Sequence, residues 1–555
     1  MTRVNWGPPT RRPLPLILIR GFGGLGVEEE RRIAYQGFND GTVYPHKRGE
    51  NYIYEGMVLR FMKSAWQYQD ATNVVGYFGT PVAEQVIIPP ELQDLPAEFF
   101  HPPPGSDAPN ALYKVVIDPG MALTIRDQQR TRDACRTLWV FRYYDLNERN
   151  FAQYGDILVR LIAFVRGLAT SNGSAPRVNI IAHSMGGLIV REAIQRAFPR
   201  RQLSADDAIN KVVTLGTPHQ GIAFQLLRHW IGIDAEDELK HFNPIFQRDA
   251  KNPSAFVNLH KHFDLTRFLT VVGTNYRTYE VTAARWANRL FSVSEDYGPS
   301  YNQSDGLVKQ AFAQIPGAPR TFVHKCHGGR DSLVTSREAF EIATRFFFGN
   351  LRARLRMIEG TVTRGKDFFG KSEFFFGVSV KPRRVDFDLF HQSVEAENCY
   401  GPFRRTNADQ DIDFSDDPST LTFSWAGEDR LIWEGYLDTS QVIVDPSVGE
   451  RDLVFRLDFY VGERDLFGLG FSDNVVFRKQ YYLRALIDRT PPPLYCLTGE
   501  DFGIRAHPKG TALRARDGGW IFQVRGTGFQ GTFGLELAAI PETGFPVPIA
   551  PAAKN

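Results

Sequence analysis

The feature that most constrains the fold is a strand that turns into a helix around a serine. Residues 178–181 form a short apolar run with β-branched side chains, which is typical of a buried parallel strand. Ser184 follows this run, and an apolar pattern at helical spacing then continues to Pro199. The small residues Ala182 and Gly186 permit a very tight turn at the serine. Such a turn lifts the hydroxyl above a sheet, at the positive end of a helix, where a developing oxyanion is stabilised.

The segments around this turn predict a parallel sheet. Further buried strands are predicted at 14–19, 137–143, 211–216, 267–272 and 320–326, with an amphipathic helix at 150–168. The alternation of strand and helix indicates βαβ units, in which ligands bind at the carboxyl ends of the strands. Ser184 and the glycine-rich segment 20–24 both follow such ends. The sequence therefore predicts an α/β fold with its site at that edge of the sheet.

Four short motifs resemble those of the triacylglycerol lipase and GPI inositol-deacylase branch of the α/β-hydrolases. They are R-G-F-G-G at 20–24, A-H-S-M-G-G at 182–187, T-P-H-Q-G at 217–221 and S-D-G-L-V at 304–308. The resemblance covers residues 1–350 and implies an α/β-hydrolase fold, a mostly parallel sheet flanked by helices. It also implies a lid-like helical insertion at residues 221–265, for which ordinary packing of an inserted subdomain is the alternative.

The resemblance implies a catalytic triad of Ser184, Asp305 and His327, in the serine–acid–histidine order of this fold. Asp305 stands in a tight turn before Gly306. Backbone N–H groups of such a turn can keep a carboxylate ionised and aim it at an imidazole. His327 is predicted to lie in the loop between the last strand and the last helix of the domain, where the family keeps its base.

Four other titratable residues are weaker candidates for the acid and the base. Asp264 and Asp296 lack the turn that surrounds Asp305. His219 belongs to the T-P-H-Q-G motif, where the family usually has a structural histidine. His324 lies within the last predicted strand and would be held in the sheet.

The same resemblance implies that the backbone N–H groups of Phe22 and Met185 bind the oxyanion. The sequence departs from the family pattern at Ala182, in place of the first glycine of G-x-S-x-G, and at Arg20, in place of a usual histidine. Because the donor near Arg20 is a backbone group, that replacement need not abolish it. Arg20 either binds an anionic group of the substrate or pairs with a nearby acid to hold the loop.

The pattern changes at residue 351. Strand-like segments, among them 385–390 and 453–460, alternate with loops rich in Gly, Asp and Pro, which predicts an all-β sandwich or barrel. We therefore place an α/β-hydrolase domain at 1–350 and an all-β domain of unknown role at 351–555. The carboxylates of Asp409–Asp417 either converge on calcium or form a solvated acidic turn, since the loop lacks the glycine of an EF-hand.

Composition excludes several classes of protein. The 65 basic and 63 acidic residues give a net charge of +2, and no basic face indicates a nucleic-acid partner. The four scattered cysteines are too few for a disulfide scaffold or a zinc knuckle. No apolar run is long enough for a secretory leader or a membrane span. We expect a cytoplasmic protein by default, although export without a leader would leave no such run.

Together these features predict a serine hydrolase that cleaves carboxylic esters, a lipase or esterase acting on acyl lipids through an acyl-enzyme. The reaction requires no metal and no organic cofactor. The main alternative is a phospholipase or acyltransferase with the same triad. A non-catalytic binding protein on a hydrolase scaffold is another, because Arg20 departs from the pattern. The all-β domain is a candidate surface for contact with a membrane or a protein.

Overall fold

The structure is a computed structural model that describes most of the chain. The described residues are 11–21, 35–40, 42–43, 52–53, 55–78, 87–96, 99–100, 115–128, 134–143, 150–171, 173–222, 236–278, 304–329, 331–363, 372–383, 385–404, 412–414, 430–444, 449–465, 474–489, 491–498, 510–516, 518–541 and 546–549.

Strands and helices alternate through the first 350 residues. The strands are β1 (Leu16–Ile19), β2 (Thr42–Val43), β3 (Tyr52–Ile53), β4 (Gln69–Asp70), β5 (Val75–Tyr77), β6 (Val115–Ile117), β7 (Thr137–Val140), β8 (Val178–His183), β9 (Ile209–Leu215), β10 (Phe268–Gly273) and β11 (Arg320–Val323). The helices are α1 (Met57–Lys63), α2 (Pro119–Gln128), α3 (Phe151–Leu168), α4 (Met185–Glu192), α5 (Phe198–Arg200), α6 (Ala205–Ala208), α7 (Glu236–Leu239), α8 (Pro244–Arg248) and α9 (Arg337–Phe348). A π-helical turn at Ala193–Ala197 joins α4 to α5.

Seven of these strands form one sheet in the order β11-β10-β9-β8-β1-β7-β4. Every neighbouring pair in the sheet is parallel. Strands β1 and β8 are adjacent at its centre, with Ile19 opposite Ala182. The chain therefore leaves both strands at the same edge of the sheet, and Ser184 and residue 20 begin side by side.

Both faces of the sheet are covered by helices. Successive side chains of a strand point to opposite faces, so Ile17 and Ile19 pack with α3, whereas Leu16 and Leu18 pack with α1 and α9. Strands buried on both faces read as continuous apolar runs, and β1 is buried along its whole length. The predicted α/β architecture is confirmed.

Most residues from 351 onward lie in strands in the described part of the chain. They are β12 (Leu351–Val362), β13 (Ser372–Pro382), β14 (Tyr400–Arg404), β15 (Ile412–Asp413), β16 (Leu431–Leu437), β17 (Ile443–Val444), β18 (Arg451–Asp465), β19 (Asn474–Leu486), β20 (Leu494–Thr498), β21 (Thr511–Ala512), β22 (Arg514–Arg516), β23 (Gly519–Gly526), β24 (Phe529–Ala539) and β25 (Val547–Ile549).

These strands form two antiparallel sheets, which confirms the predicted β-rich region. One sheet has the order β15-β12-β24-β23-β22, with β16 also on β12. The other has the order β14-β13-β18-β19-β20-β21. Side chains of β12 alternate between buried and half-buried, and its buried face shares one apolar cluster with residues of β13 and β18. This alternation is typical of sheets that pack on one face only.

The prediction of a strand at 385–390 is wrong. This segment contains bends and no strand, and Phe390 forms only an isolated bridge with Val380. Its alternating apolar residues resemble a strand, but they pack between two different sheets for a few residues instead of continuing along one.

The α/β and the β-rich regions contact each other at the connection between them and near residue 11. Only Gly349 and Asn350 separate α9 from β12, and the predicted domain boundary falls in this connection. Asn350 is fixed on both sides, because its N–H donates to Leu437 O at 3.1 Å and its carbonyl accepts from Ile540 N at 2.8 Å. Near the start of the chain, Arg11 donates to Pro541 O at 3.1 Å. Within the described part of the chain, no helix is long and apolar enough to span a bilayer.

Candidate active site

Ser184 occupies a strained position between β8 and α4. Its backbone has φ 53° and ψ −129°, a conformation that residues other than glycine rarely adopt. The serine N–H donates to Leu215 O at 2.9 Å, and its carbonyl accepts from Gly187 N at 3.1 Å. These bonds anchor the turn to β9 and to the first turn of the helix. The strain therefore persists because its surroundings fix the backbone on both sides.

Three glycines allow this turn to pack closely against its neighbours. A Cβ on Gly21 would lie 2.2 Å from Ser184 Cβ, and one on Gly186 would lie 2.5 Å from Ile19 O. A Cβ on Gly187 would lie 2.2 Å from Thr217 Oγ1. Each of these distances is too short for any side chain, so the motif glycines of the sequence reflect direct steric limits around the serine.

The structure joins the three candidate triad side chains in one chain of hydrogen bonds. His327 Nε2 lies 2.8 Å from Ser184 Oγ, and His327 Nδ1 lies 2.8 Å from Asp305 Oδ2. Because a carboxylate only accepts, Nδ1 carries the proton, and Nε2 of the neutral ring can accept from the serine hydroxyl. The three residues are 5%, 2% and 1% exposed for Ser184, His327 and Asp305.

Asp305 is held by its own turn. Its Oδ1 accepts from Leu307 N at 3.0 Å and from Val308 N at 2.8 Å, which leaves Oδ2 for the imidazole. Two glycines on neighbouring strand ends make room for it: a Cβ on Gly273 would lie 2.7 Å from Asp305 Cβ, and one on Gly216 would lie 2.8 Å from Oδ2. The carboxylate is thus fixed in direction before any ligand binds.

The loop that carries His327 is fixed by a backbone hydrogen bond and by ion pairs. His327 N donates to Asp305 O at 2.8 Å, so acid and base are also joined through the main chain. On the same loop, the Lys325 ammonium lies 2.6 Å from Asp331 and 3.8 Å from Glu338 in a nearly buried cluster. This cluster ties the end of β11 to the start of α9.

His183, which sequence reasoning did not single out, forms a hydrogen bond with the backbone of the base, His327. Its Nε2 lies 2.8 Å from His327 O. A carbonyl only accepts, so Nε2 is the protonated nitrogen. Burial, with a smaller contribution from the neighbouring His327, lowers the pKa of His183 well below its usual value and keeps it neutral. The signal in the sequence is its place beside Ser184, although the bond itself spans 144 positions.

The rival residues have other partners. His219 Nε2 lies 3.0 Å from Thr214 Oγ1, and burial lowers the pKa of His219 well below its usual value. His324 Nδ1 lies 3.1 Å from Thr274 Oγ1. Asp264 caps the helical turn at Leu265–Arg267 by accepting from Thr266 N. Asp296 lies outside the described residues.

Of the two oxyanion donors that the resemblance implies, one can be located. Met185 is the first residue of α4, and its N–H stands at the positive end of that helix. Gly21 approaches it closely, since a Cβ there would lie 2.6 Å from Met185 N. Phe22 lies outside the described residues.

Arg20 points toward the turn at 35–40. A Cβ on Gly37 would lie 2.7 Å from Arg20 Nη1 and 3.4 Å from Asp40 Oδ2, so the guanidinium packs on Gly37 with the carboxylate nearby. Burial raises the pKa of Asp40, and the charge of Arg20 opposes that rise. This placement matches the loop-holding alternative more closely than contact with substrate.

A second residue that sequence reasoning missed is Arg191, about two turns beyond the serine on α4. It is buried, and it donates to His219 O at 2.9 Å, to Gln247 Oε1 at 2.7 Å and to Ser254 O at 2.6 Å. Burial lowers its pKa to about 9. Arg191 thus ties the described part of the 221–265 insertion to the nucleophile helix. Residues 223–235 of that insertion lie outside the described residues.

Metal binding finds no support in the described part of the chain. No group of three or more His, Cys, Asp or Glu side chains is arranged there to hold an ion. Of the candidate calcium loop Asp409–Asp417, the carboxylates lie outside the described side chains, so that prediction is untouched.

Comparison with known families adds one match. Residues 112–244 match the family described as PGAP1-like alpha/beta domain, a range that contains β8, Ser184 and α4. No curated protein matches the sequence. With the sheet described above, this match identifies the N-terminal region as an α/β-hydrolase fold and agrees with the lipase-like resemblance of its motifs.

Solved structures with partial similarity include hydrolases. The mature lipase BlEst2 of Bacillus licheniformis is 18% identical with a TM-score of 0.26, over 36% of this chain and 75% of that one. The metagenomic carboxyl esterase MGS0156 is 17% identical with a TM-score of 0.26, over 40% and 69%. Phospholipase PlaB from Legionella pneumophila is 11% identical with a TM-score of 0.25, over 61% and 82%. At such TM-scores these alignments carry no weight for the substrate.

Proposed function

We propose that this protein is a serine hydrolase that cleaves carboxylic esters of acyl lipids through an acyl-enzyme. One observation carries the proposal: Ser184, His327 and Asp305 form a continuous hydrogen-bonded chain at the carboxyl edge of a parallel sheet. Nucleophile, base and orienting acid are thus within reach of each other without any rearrangement.

In the proposed reaction, Ser184 Oγ attacks the ester carbonyl while His327 Nε2 takes the hydroxyl proton. The tetrahedral intermediate collapses, the C–O bond to the alcohol breaks, and the imidazolium returns the proton to the leaving oxygen. Water then attacks the acyl-enzyme in the same way and releases the acid. Asp305 fixes the ring and stabilises its cation in both halves of the reaction, because Oδ2 accepts from Nδ1.

The oxyanion of each intermediate is stabilised by backbone N–H groups of Met185 and Phe22 in this proposal. A single donor of this kind contributes about 3 kcal/mol of transition-state stabilisation. Met185 N–H suits the role because Met185 is the first residue of the helix after Ser184, where an N–H group has no intrahelical acceptor.

Lipase, phospholipase and acyltransferase reactions share this machinery and differ in the group that leaves or accepts the acyl chain. Arg20 bears on the choice, since a cation near the site would favour an anionic head group. Its position against Gly37 supports a loop-holding role instead. A lipase or esterase on acyl lipids is therefore the first candidate, and product analysis with phospholipids and with added alcohols separates the three. Contact of the β-rich region with a membrane surface or a protein, and a cytoplasmic location, stay proposals.

The nucleophile is tested by Ser184→Ala. We expect this variant to lose p-nitrophenyl ester hydrolysis and labelling by a fluorophosphonate probe, because the Ser184 hydroxyl is the group that lies 2.8 Å from His327 Nε2. Ser174→Ala, an exposed serine in the turn before β8, is the matched control and should react normally. Labelling of Ser184→Ala at the wild-type rate would refute the assignment, and a wild type that is neither labelled nor active would leave the binding-protein alternative.

The acid and the base are tested separately. His327→Ala and Asp305→Ala should each lower kcat by about 10³-fold or more with the fold retained, as in related triads. His219→Asn and His324→Asn serve as comparisons, because both rings bond to threonine hydroxyls instead of Ser184. A His327→Ala variant with wild-type kcat would transfer the base to one of these two.

A further inference from the structure

A short segment of the β-rich region reaches the α/β sheet. We call residues 389–398, which lie between β13 and β14, the strap. Its residues 389–391 lie between two strands of different sheets. On one side Leu389 N donates to Val380 O, and Phe390 O accepts from Val380 N, both at 2.8 Å. On the other side His391 N donates to Phe322 O of β11 at 3.0 Å.

The strap contacts the strand that leads to the base. Besides the bond to Phe322 O, Leu389 O accepts from the hydroxyl of Thr321, and the rings of Phe322 and Phe390 lie 5.5 Å apart between centroids. Strand β11 is the edge of the α/β sheet and ends four residues before His327. The strap thus covers the hydrogen-bonding edge of this strand.

The strap also contacts the segment that carries the acid. Gln310, five residues after Asp305 and fully buried, donates from Nε2 to Ala396 O at 2.8 Å. Val308, whose N–H binds the Asp305 carboxylate, packs in the apolar cluster of the β-rich region together with Phe390. On the opposite side, Gln220 donates to Ala311 O at 2.9 Å. The acid segment is therefore held between the T-P-H-Q-G motif and the strap.

The strap itself is rigidly attached to β13. Ser379 Oγ accepts from Gln392 N at 3.1 Å and donates to Gln392 O at 3.2 Å. The Gln392 side chain accepts from Val378 N at 3.0 Å and donates to Asn398 O at 2.8 Å. Because these bonds fix the strap to β13, a shift of β13 would also move the segments that the strap contacts.

We propose that the strap is part of the catalytic apparatus: it fixes the acid segment relative to the base strand, and Gln310 is the positioning residue through which it acts on Asp305. This inference rests on the proposed function. Two 2.8 Å bonds join the acid and base loops, one between Asp305 Oδ2 and His327 Nδ1 and one from His327 N to Asp305 O, so a displacement of either loop would weaken the side-chain bond. The strap is the described element of the β-rich region that bonds to both the acid segment and the base strand.

The experiment uses the full chain with Gln310→Met, which keeps the shape of the side chain and removes the N–H donor to Ala396 O. We expect kcat for a p-nitrophenyl ester to fall by about tenfold with KM unchanged, because substrate contacts are intact while the acid is displaced. The matched control is the same substitution at Gln523, which is exposed on β23 of the β-rich region. This variant should leave kcat unchanged.

A double-mutant cycle separates positioning from general damage. If Gln310 acts through Asp305, its effect should disappear once the carboxylate is gone: in an Asp305→Asn background, Gln310→Met should change the residual kcat by less than about twofold. A tenfold loss that persists in that background, or a Gln310→Met variant with wild-type kcat, would overturn the proposal.

Ser379→Ala provides a second route if Gln310→Met does not fold. It removes the two bonds between the Ser379 hydroxyl and Gln392 and should lower kcat by a smaller factor, about threefold, again only when Asp305 is present. An equal loss in the Asp305→Asn background would count against the strap. Failure of the proposed function is distinguishable, since in that case the wild type would not hydrolyse the ester or Asp305→Asn would leave kcat unaltered.

Discussion

Ser184 illustrates how a single residue depends on its neighbours. Its backbone angles would cost of order 1–3 kcal/mol in isolation. The surrounding atoms leave no other arrangement, since Gly21 and Gly186 pack against the turn with no space for a side chain. The position of the hydroxyl beside His327 therefore depends on the absence of side chains at the neighbouring glycines.

A residue-scale prediction follows for Gly21→Ala. The added methyl would lie 2.2 Å from Ser184 Cβ and 2.6 Å from Met185 N, so it must displace the nucleophile or the oxyanion donor. We expect kcat to fall by about 100-fold in steady-state ester hydrolysis, since a 1 Å displacement can have that effect.

Gly534→Ala is a suitable control for this change. A Cβ there would have its nearest neighbour at 3.5 Å, an ordinary contact, on a strand of the β-rich region. Gly534→Ala should keep the wild-type kcat and unfold near the wild-type temperature. Unchanged kcat in Gly21→Ala would contradict the steric explanation.

Site residues were predictable from the sequence where a local motif surrounds them. A short pattern predicts the turn or strand end that carries each of Ser184, Asp305 and His327, and the structure joins the three by hydrogen bonds. His183 was missed because its role depends on a carbonyl 144 positions away, for which no local pattern exists.

At the scale of elements, α4 connects the serine to the rest of the α/β region. Arg191 on this helix binds three acceptors that belong to two later segments of the chain. Gln195, within the π-helical turn, adds bonds to Pro253 O and Ala255 O at 2.8 Å. The helix is therefore a scaffold for the insertion as well as the support of the nucleophile.

Arg191→Met should destabilise the protein strongly. The substitution keeps an apolar stem but removes the buried donor to the carbonyls of His219 and Ser254 and one of the donors to Gln247 Oε1. We expect the free energy of unfolding in urea to fall by about 3 kcal/mol or more.

Arg196→Met is the comparison, because Arg196 lies on the same helical run but is exposed by 44% and 3.6 Å from Glu192. Its loss should change the free energy of unfolding by less than about 1 kcal/mol. If the two substitutions lowered the free energy of unfolding equally, the burial of Arg191 would not explain its effect.

Strands were predictable where apolar runs were long, as in β1 and β8, because burial on both faces imposes a continuous pattern. Residues 385–390, the last two of which begin the strap, were predicted as a strand. Residues 389–391 do form strand-like bonds, but to Val380 on one side and Phe322 on the other, for too few residues to continue. Local alternation cannot reveal that two sheets share one segment.

At the scale of the whole molecule, acid sensitivity follows from buried neutral histidines. Burial lowers the pKa of His241 to about 3 and lowers the pKa of His183 and His219 well below the usual value. Between pH 6.5 and 3 the unfolded chain binds a proton at His241 that the folded chain does not, so stability falls as the pH drops through this range. Between pH 7 and pH 5 the loss is about 2 kcal/mol per such histidine.

His241→Phe tests this relation. The new ring keeps the packing against Phe151, whose centroid lies 4.3 Å from that of His241. We expect the difference in unfolding free energy between pH 7 and pH 5 to shrink by about 2 kcal/mol. His260→Phe, at an exposed site, should leave that difference as in the wild type. The measurement is urea unfolding at the two pH values, and an unchanged difference in His241→Phe would contradict it.

The two predicted regions should not fold independently. Val272 and Phe322 of the α/β sheet belong to the same apolar cluster as β12 and β18, and Phe346 of α9 packs on Tyr436 at 4.8 Å. We expect a fragment of residues 1–350 to expose the edge of β11 and to aggregate or lack probe labelling. Size-exclusion chromatography and fluorophosphonate labelling would measure this, and a monomeric, labelled fragment would contradict it.

The α/β and all-β classes were both predictable from periodicity, but the joining of the two regions was not. A sequence pattern reports which face of an element is apolar and not what covers it. Thr321 and Gln310 read as ordinary polar residues, although each bonds to the strap. Relations of this kind depend on the packing of whole sheets.

The pairing of β12 with β24 has a consequence for synthesis. Strand β12 directly follows the α/β region, yet its long partner is formed by residues 529–539. While the ribosome is still making residues 438–528, β12 can pair with β16 but lacks the strand that pairs with it along its whole length. We therefore expect ester hydrolysis only after translation has passed residue 539, so that prematurely terminated chains would be inactive.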